Sequence, residues 1–198
     1  MDGIRDEILA AFDDSWHEIV AAYLDGRIAW EEDLRCRLYG LLAPKLPSAD
    51  VWAEPRWAYH EDDPALSRLR PDLVISTPRL NRGSSTDAYE IVGAIECKHV
   101  PQVSKGRAAR SFAKDLATFG RLQRLTASGS VRTRLALDPI RGTRSEPNFH
   151  WAENVALILA TIGPCEPDTS TGRSDEVKAA AWYWISARPT VKFGHVCF

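Results

Sequence analysis

An apolar, β-rich run in this chain ends in an acid and a base. Ile91-Val92-Gly93-Ala94-Ile95 leads straight into Glu96-Cys97-Lys98, and a carboxylate buried there without a partner would cost on the order of several kcal/mol. Any fold that accepts the run must give Glu96 a ligand, a counter-charge or an open edge. Along a strand, residues i and i+2 point to one face about 6.6 Å apart, so Glu96 and Lys98 share a face and Cys97 turns into the opposite layer. His99 alternates away from Lys98 and reads as a packed or edge histidine.

Helical periodicity precedes this run. Ile4, Ile8, Phe12, Ile19 and Tyr23 predict a helix over Gly3 to Leu24, and Leu34, Leu38, Leu41 and Leu42 predict another over Ala29 to Leu42. β-rich runs bounded by turn formers lie at Val51 to Tyr59, Pro71 to Ser76 and Tyr89 to Val100. A helix is expected from Arg107 to Ala127, a buried strand from Asn154 to Ile162, a helix from Ser174 to Ser186 and a strand from Thr190 to Cys197. The stretch between Thr126 and Glu153 carries only a weak strand signal at Val131 to Leu137 and reads as a long functional or mobile loop. The order ααβββαβαβ predicts a mixed α/β fold.

Composition narrows the classes. With 198 residues, 44% hydrophobic and 26% charged, the chain is expected to form a single domain, 1–198, with its own core, and disordered or collagen-like classes fall away. No apolar stretch approaches the roughly 20 residues of a membrane-spanning helix. The acidic, amphipathic start is unlike a secretory signal, so a cytoplasmic protein without membrane contact is expected. Cys36, Cys97, Cys165 and Cys197 are widely spaced and form no Cys-x-x-Cys pair, which predicts reduced, mostly buried thiols and no zinc site. His60, His150 and His195 have no partner at metal-ligand spacing.

Charge is distributed unevenly. Met1 to Asp63 holds 6 Lys and Arg against 15 Asp and Glu, whereas Lys105 to Arg144 holds 10 basic residues against Asp115 and Asp138. At 100° per residue, Arg107, Arg110, Lys114 and Arg121 fall together opposite Phe112, Leu116 and Phe119. The basic third reads either as a footprint for a polyanion or as a solvated face paired with the acidic third. Asp115 fits a pairing with Arg110 or Lys114. Trp151, beside the arginine-rich segment, is a candidate for stacking on a base, while most of the 7 tryptophans are expected in the core or in interfaces.

Pro71-Asp72 opens one strand and Glu96-Cys97-Lys98 closes another. Each motif alone arises about once by chance in such a composition, and Pro167-Asp168 with Glu176-Val177-Lys178 matches as well. That second pair is set aside because Glu176 and Lys178 would point about 200° apart at a helix start. In the first pair, a hairpin from Asp72 to Glu96 brings one carboxylate from each of two strands to a shared edge. Two hard oxygen ligands with open positions suit Mg²⁺, and a lysine beside the ion can stabilise phosphoryl charge or orient water. The expected chemistry is phosphodiester hydrolysis.

This arrangement resembles the PD-(D/E)xK nuclease superfamily, the restriction-endonuclease-like fold. The resemblance implies an αβββαβ core over roughly 29–162, a central mixed sheet flanked by helices. An extra N-terminal helix at 3–24 and a C-terminal helix-strand extension at 163–198 would lie outside it. It also implies a glutamate on the helix before the first core strand: Glu31, in phase with Leu34 and Leu38, with Glu32 as the fallback. Glu31, Asp72 and Glu96 would then hold Mg²⁺, or Mn²⁺ in its place, and Lys98 would act in catalysis. Arg107, Arg110, Lys114 and Arg121 would guide a nucleic-acid backbone, with DNA the expected polymer. The rival expectation is a non-catalytic nucleic-acid- or partner-binding subunit of a defence, restriction or mobile-element complex with the same fold. A homodimer or larger assembly fits either reading.

Overall fold

A computed structural model of the chain describes residues 2–55, 57–59, 70–78, 87–99, 117–120, 122–124, 126, 132–135, 148–163, 180–186 and 192–197. Helix α1 spans Asp2–Leu24 and buries Ile8, Phe12, Trp16, Ile19 and Val20 at helical spacing. It stops at Gly26, whose φ of +69° lets the Gly26 N–H reach the Tyr23 carbonyl at 3.0 Å and the Arg27 N–H reach Ala22 at 2.9 Å. Helix α2, Glu31–Lys45, buries Leu34, Leu38 and Leu42. Its start is set by Asp33, whose Oδ2 accepts the N–H of Ala29 at 2.9 Å and of Trp30 at 3.1 Å.

The strands are β1 Asp50–Ala53, β2 Trp57–Tyr59, β3 Leu73–Pro78, β4 Asp87–His99, β5 Arg132–Leu135, β6 Asn148–Gly163, β7 Ala180–Ser186 and β8 Lys192–Cys197. They form one sheet in the order β1-β3-β4-β6-β5-β2, while β7 also pairs with β6 and β8 with β7. β4, β6 and β7 run parallel, and the remaining pairs are antiparallel. The fold is mixed α/β.

β1 and β2 occupy opposite ends of that order although only residues 54–56 separate them. In a flat sheet five strand spacings would hold them about 24 Å apart, beyond the roughly 14 Å that the connection can span. This end of the sheet must therefore curl. A ring contact agrees: Trp52 on β1 lies 6.0 Å from Phe149 on β6, although β3 and β4 intervene. The predicted single run Val51 to Tyr59 is thus two strands, broken at Glu54, whose φ is +44°.

A bulge sets the phase of β4. Ile75 pairs with Gly93 and Ser76 with Ile91, leaving Val92 as the extra residue. After it, Ile95 and Cys97 join the core under α1 and α2 together with Leu73, Ile75, Ala156, Ile158, Ala160, Ala181, Tyr183 and Ile185. Ala94, Glu96 and Lys98 accordingly face the other side. That side is covered as well, since Val74, Ala94, Leu157 and Leu159 are buried. Helical backbone at 117–120, 122–124 and 126 buries Phe119, Leu122 and Thr126, and none of these three belongs to the core under α1 and α2.

Three expectations need correction. Residues 180–186 form strand β7 and not the end of a helix; Phe12 and Trp16 of α1 pack on its Tyr183 at 4.6 and 5.8 Å. The predicted long loop contains β5, and β6 begins at Asn148, six residues before the expected start. Cys36 is exposed, whereas Cys97 is a buried free thiol. Among the described residues no helix is long and apolar enough to cross a membrane.

Candidate functional site

The carboxyl-terminal ends of the parallel strands β4, β6 and β7 lie at one edge of the sheet, the edge where ligands gather in open α/β sheets. Register brings further residues to it. Leu73 pairs with Ile95, so Asp72 stands beside Glu96. Ala53 pairs with Leu73, so Glu54 follows beside Asp72, and the Glu54 N–H donates to the Asp72 carbonyl at 2.8 Å. The first turn of α2 reaches the same edge, where Glu31 Oε2 accepts the His99 N–H at 3.2 Å.

Glu31, Asp72, Glu96 and Lys98, separated by up to 67 positions in the sequence, therefore stand at one edge. Lys98 Nζ lies 2.7 Å from Glu96 Oε1 and 3.9 Å from Glu31 Oε1. Asp72 Oδ2 accepts the Cys97 N–H at 2.7 Å, and Asp72 Oδ1 takes Arg35 Nη1 at 3.3 Å. The same nitrogen of Arg35 sits 2.5 Å from Glu54 Oε1. The side chains of Asp72, Arg35, Glu96 and Lys98 are only 13% to 21% exposed. Glu32, the fallback, is exposed and makes none of these contacts.

The Cys97 thiol reports the field of this cluster. Burial pushes its pKa well above the ordinary value, and the charges of Asp72, Glu96 and Glu31 push it further, against Arg35. Three carboxylates from three elements thus act on one atom just beneath them, and Cys97 stays protonated and inert. His99 is held below its ordinary pKa by burial, with Asp33 opposing, so its imidazole is neutral at pH 7. Burial disfavours the Arg35 charge, but Glu54 and Asp72 outweigh it and leave its pKa raised.

Four carboxylates, Glu31, Glu54, Asp72 and Glu96, face two cations, Arg35 and Lys98, a formal balance of −2 among these six groups. Hard oxygen donors with that surplus fit a divalent cation such as Mg²⁺. As placed, the carboxylates are engaged by Lys98, Arg35 and backbone N–H groups. Among the described residues no three His, Cys, Asp or Glu side chains converge closely enough to enclose an ion.

Arg35 and Glu54 were not among the sequence candidates. Arg35 carried a signal, since it stands four residues after Glu31 on the same helical face; Glu54 enters only through the β1–β3 register. Trp151, the stacking candidate, is 4% exposed and cannot offer its ring to a base. Arg107, Arg110, Lys114, Asp115 and Arg121 lie outside the described residues, as do Pro167-Asp168 and Glu176-Val177-Lys178. The helix invoked to set that second motif aside does not extend over 180–186. No family model, curated protein or solved structure matches this chain.

Proposed function

We propose that this chain is a metal-dependent nuclease with a restriction-endonuclease-like core, hydrolysing phosphodiester bonds of DNA. One observation carries the reading: Glu31, Asp72 and Glu96, from three different elements, gather with Lys98 at the carboxyl-terminal edge of the parallel strands. Glu31, Asp72 and Glu96 would hold Mg²⁺, which when bound polarises a phosphoryl oxygen and neutralises charge. Lys98, freed from Glu96 and Glu31, would aim its N–H donors at the phosphoryl oxygens or at the attacking water. Arg35 keeps Asp72 fixed while Cys97 holds its other oxygen through the backbone. Arg107, Arg110, Lys114 and Arg121 would lead the nucleic-acid backbone to this edge.

A second reading, a non-catalytic nucleic-acid- or partner-binding subunit of a defence or mobile-element complex, draws on the ion pairs that already neutralise Glu96 and Asp72. Cleavage of labelled single-stranded and double-stranded DNA and of RNA with Mg²⁺ and with EDTA, alongside Glu96→Ala and Lys98→Ala, separates the two. Mg²⁺-dependent cutting lost in both folded variants supports the nuclease. Binding without cutting by wild type and variants alike supports the second reading.

A further inference from the structure

Trp30 is the most solvent-exposed of the large apolar side chains among the described residues, at 69%. Other indoles are covered: Trp16 is 3% and Trp151 4% exposed, and Trp52 and Trp184 are partly buried. Trp30 immediately precedes Glu31, whose carboxylate reaches Lys98 and the His99 N–H, so its Cα lies about 3.8 Å from that of a site residue. Its backbone is held on both sides. The N–H donates to Asp33 Oδ2 at 3.1 Å, and the carbonyl accepts the Leu34 N–H at 3.3 Å. It also stands one helical turn ahead of buried Leu34, so the helix stripe that packs on the sheet is preceded by an indole left in water.

We infer that Trp30 is a substrate-binding residue, a stacking platform for an unpaired nucleobase of a DNA strand whose phosphate lies at the Glu31–Lys98 edge. The inference rests on the nuclease reading and adds to it a preference for unpaired nucleotides. Every base offers a π-face, so an indole on a held backbone gives affinity without reading sequence. Two side-chain torsions make the platform inexpensive to order. In a duplex the base faces are occupied by their neighbours, so the contact favours single strands and frayed ends.

The test is fluorescence anisotropy of a short labelled single-stranded DNA with the full chain in EDTA, which prevents metal-dependent cutting. Trp30→Ala should bind about 5- to 150-fold more weakly, Trp30→Phe should recover most of that loss, and a blunt duplex should be less affected. Circular dichroism and light scattering should find Trp30→Ala folded and in the same oligomeric state. Unchanged single-strand affinity in Trp30→Ala overturns the inference, as does a shift in oligomeric state, which would assign the indole to a contact between copies. If wild type cuts with Mg²⁺ while Trp30→Ala binds normally, the nuclease stands and this inference falls. If wild type neither binds nor cuts any nucleic acid, both fall.

Discussion

Arg35 Nη1 lies 3.3 Å from Asp72 Oδ1 and 2.5 Å from Glu54 Oε1, so one guanidinium ties helix α2 to the ends of two strands. Asp72 is thereby gripped through both oxygens, one by Arg35 and the other by the Cys97 N–H. Arg35→Met leaves a carboxylate that is 13% exposed without its cation, at an expected loss of about 1–3 kcal/mol. Arg35→Lys keeps the charge without the planar fork and should recover part of this. Urea denaturation reads both; a Met variant as stable as wild type would remove Arg35 from the support of the site.

Lys98 stands between Glu31 and Glu96, where an ammonium can do for the carboxylates what a divalent ion would. Lys98→Met should be less stable than wild type in EDTA, because two partly buried acids then face each other without it. Mg²⁺ should raise its Tm by more than that of wild type, whose ammonium the ion must displace. Saturation to a hundred times Kd is worth about 2.7 kcal/mol. On the nuclease proposal, cleavage should fall on the order of 10²–10³-fold, as when a single charge-stabilising donor is removed. Equal Mg²⁺ shifts in the two proteins would mean that the ion, if bound, sits elsewhere.

The site was more legible in the sequence than the strand order. Period-two alternation suffices to put Glu96 and Lys98 on one face, and helical phase with Leu34 and Leu38 suffices to aim Glu31 inward. Arg35 shares that phase, but a charged residue on an amphipathic helix is ordinarily solvated, and only the tertiary contact with Asp72 distinguishes it. Residues 180–186 misled because an apolar run with no polar alternation fits a buried helix and a strand covered on both faces equally well. Its Trp, Tyr and Ile content and its seven residues favoured the strand. Pairing of β2 with β5 depends on a sheet that curls, which no local pattern encodes.

Lys45 couples the two helices: its Nζ lies 2.6 Å from Asp14 Oδ2 and 3.0 Å from Glu18 Oε1. The hydrogen bond from Lys45 lowers the Asp14 pKa, and the bond to Asp14 raises that of Lys45 despite desolvation. A lowered acid stabilises the fold above its ordinary value of 3.8 and loses that contribution as pH falls through the folded value. A raised base stabilises it below 10.5 and loses that contribution as pH rises through its folded value. The stability difference between wild type and Lys45→Met should therefore be flat between these limits and shrink below pH 3.8 and above pH 10.5. It should also weaken with salt, since the pair is solvent-facing. A pH-independent difference would mean that Lys45 acts through its methylenes alone.

Gly93 follows the bulge that phases Glu96 and Lys98, and it faces Ile8 of α1. A Cβ there would meet Ile75 Cδ1 at 3.1 Å, Ile75 Cβ at 3.2 Å and Ile8 Cδ1 at 3.4 Å. The Ile75 Cβ is attached to the backbone and cannot swing away, so relief must come from a shift of β3 against β4. Gly93→Ala should cost about 1–3 kcal/mol by overpacking. Ile8→Ala in the same chain removes only the 3.4 Å contact and should restore little. Because Asp72 immediately precedes β3 and Glu96 lies near the end of β4, a shift between these strands also moves the two carboxylates apart. On the nuclease proposal, Gly93→Ala should therefore lose Mg²⁺-dependent cleavage under conditions where circular dichroism still finds it folded. Full activity in the folded variant would show that the edge tolerates this displacement.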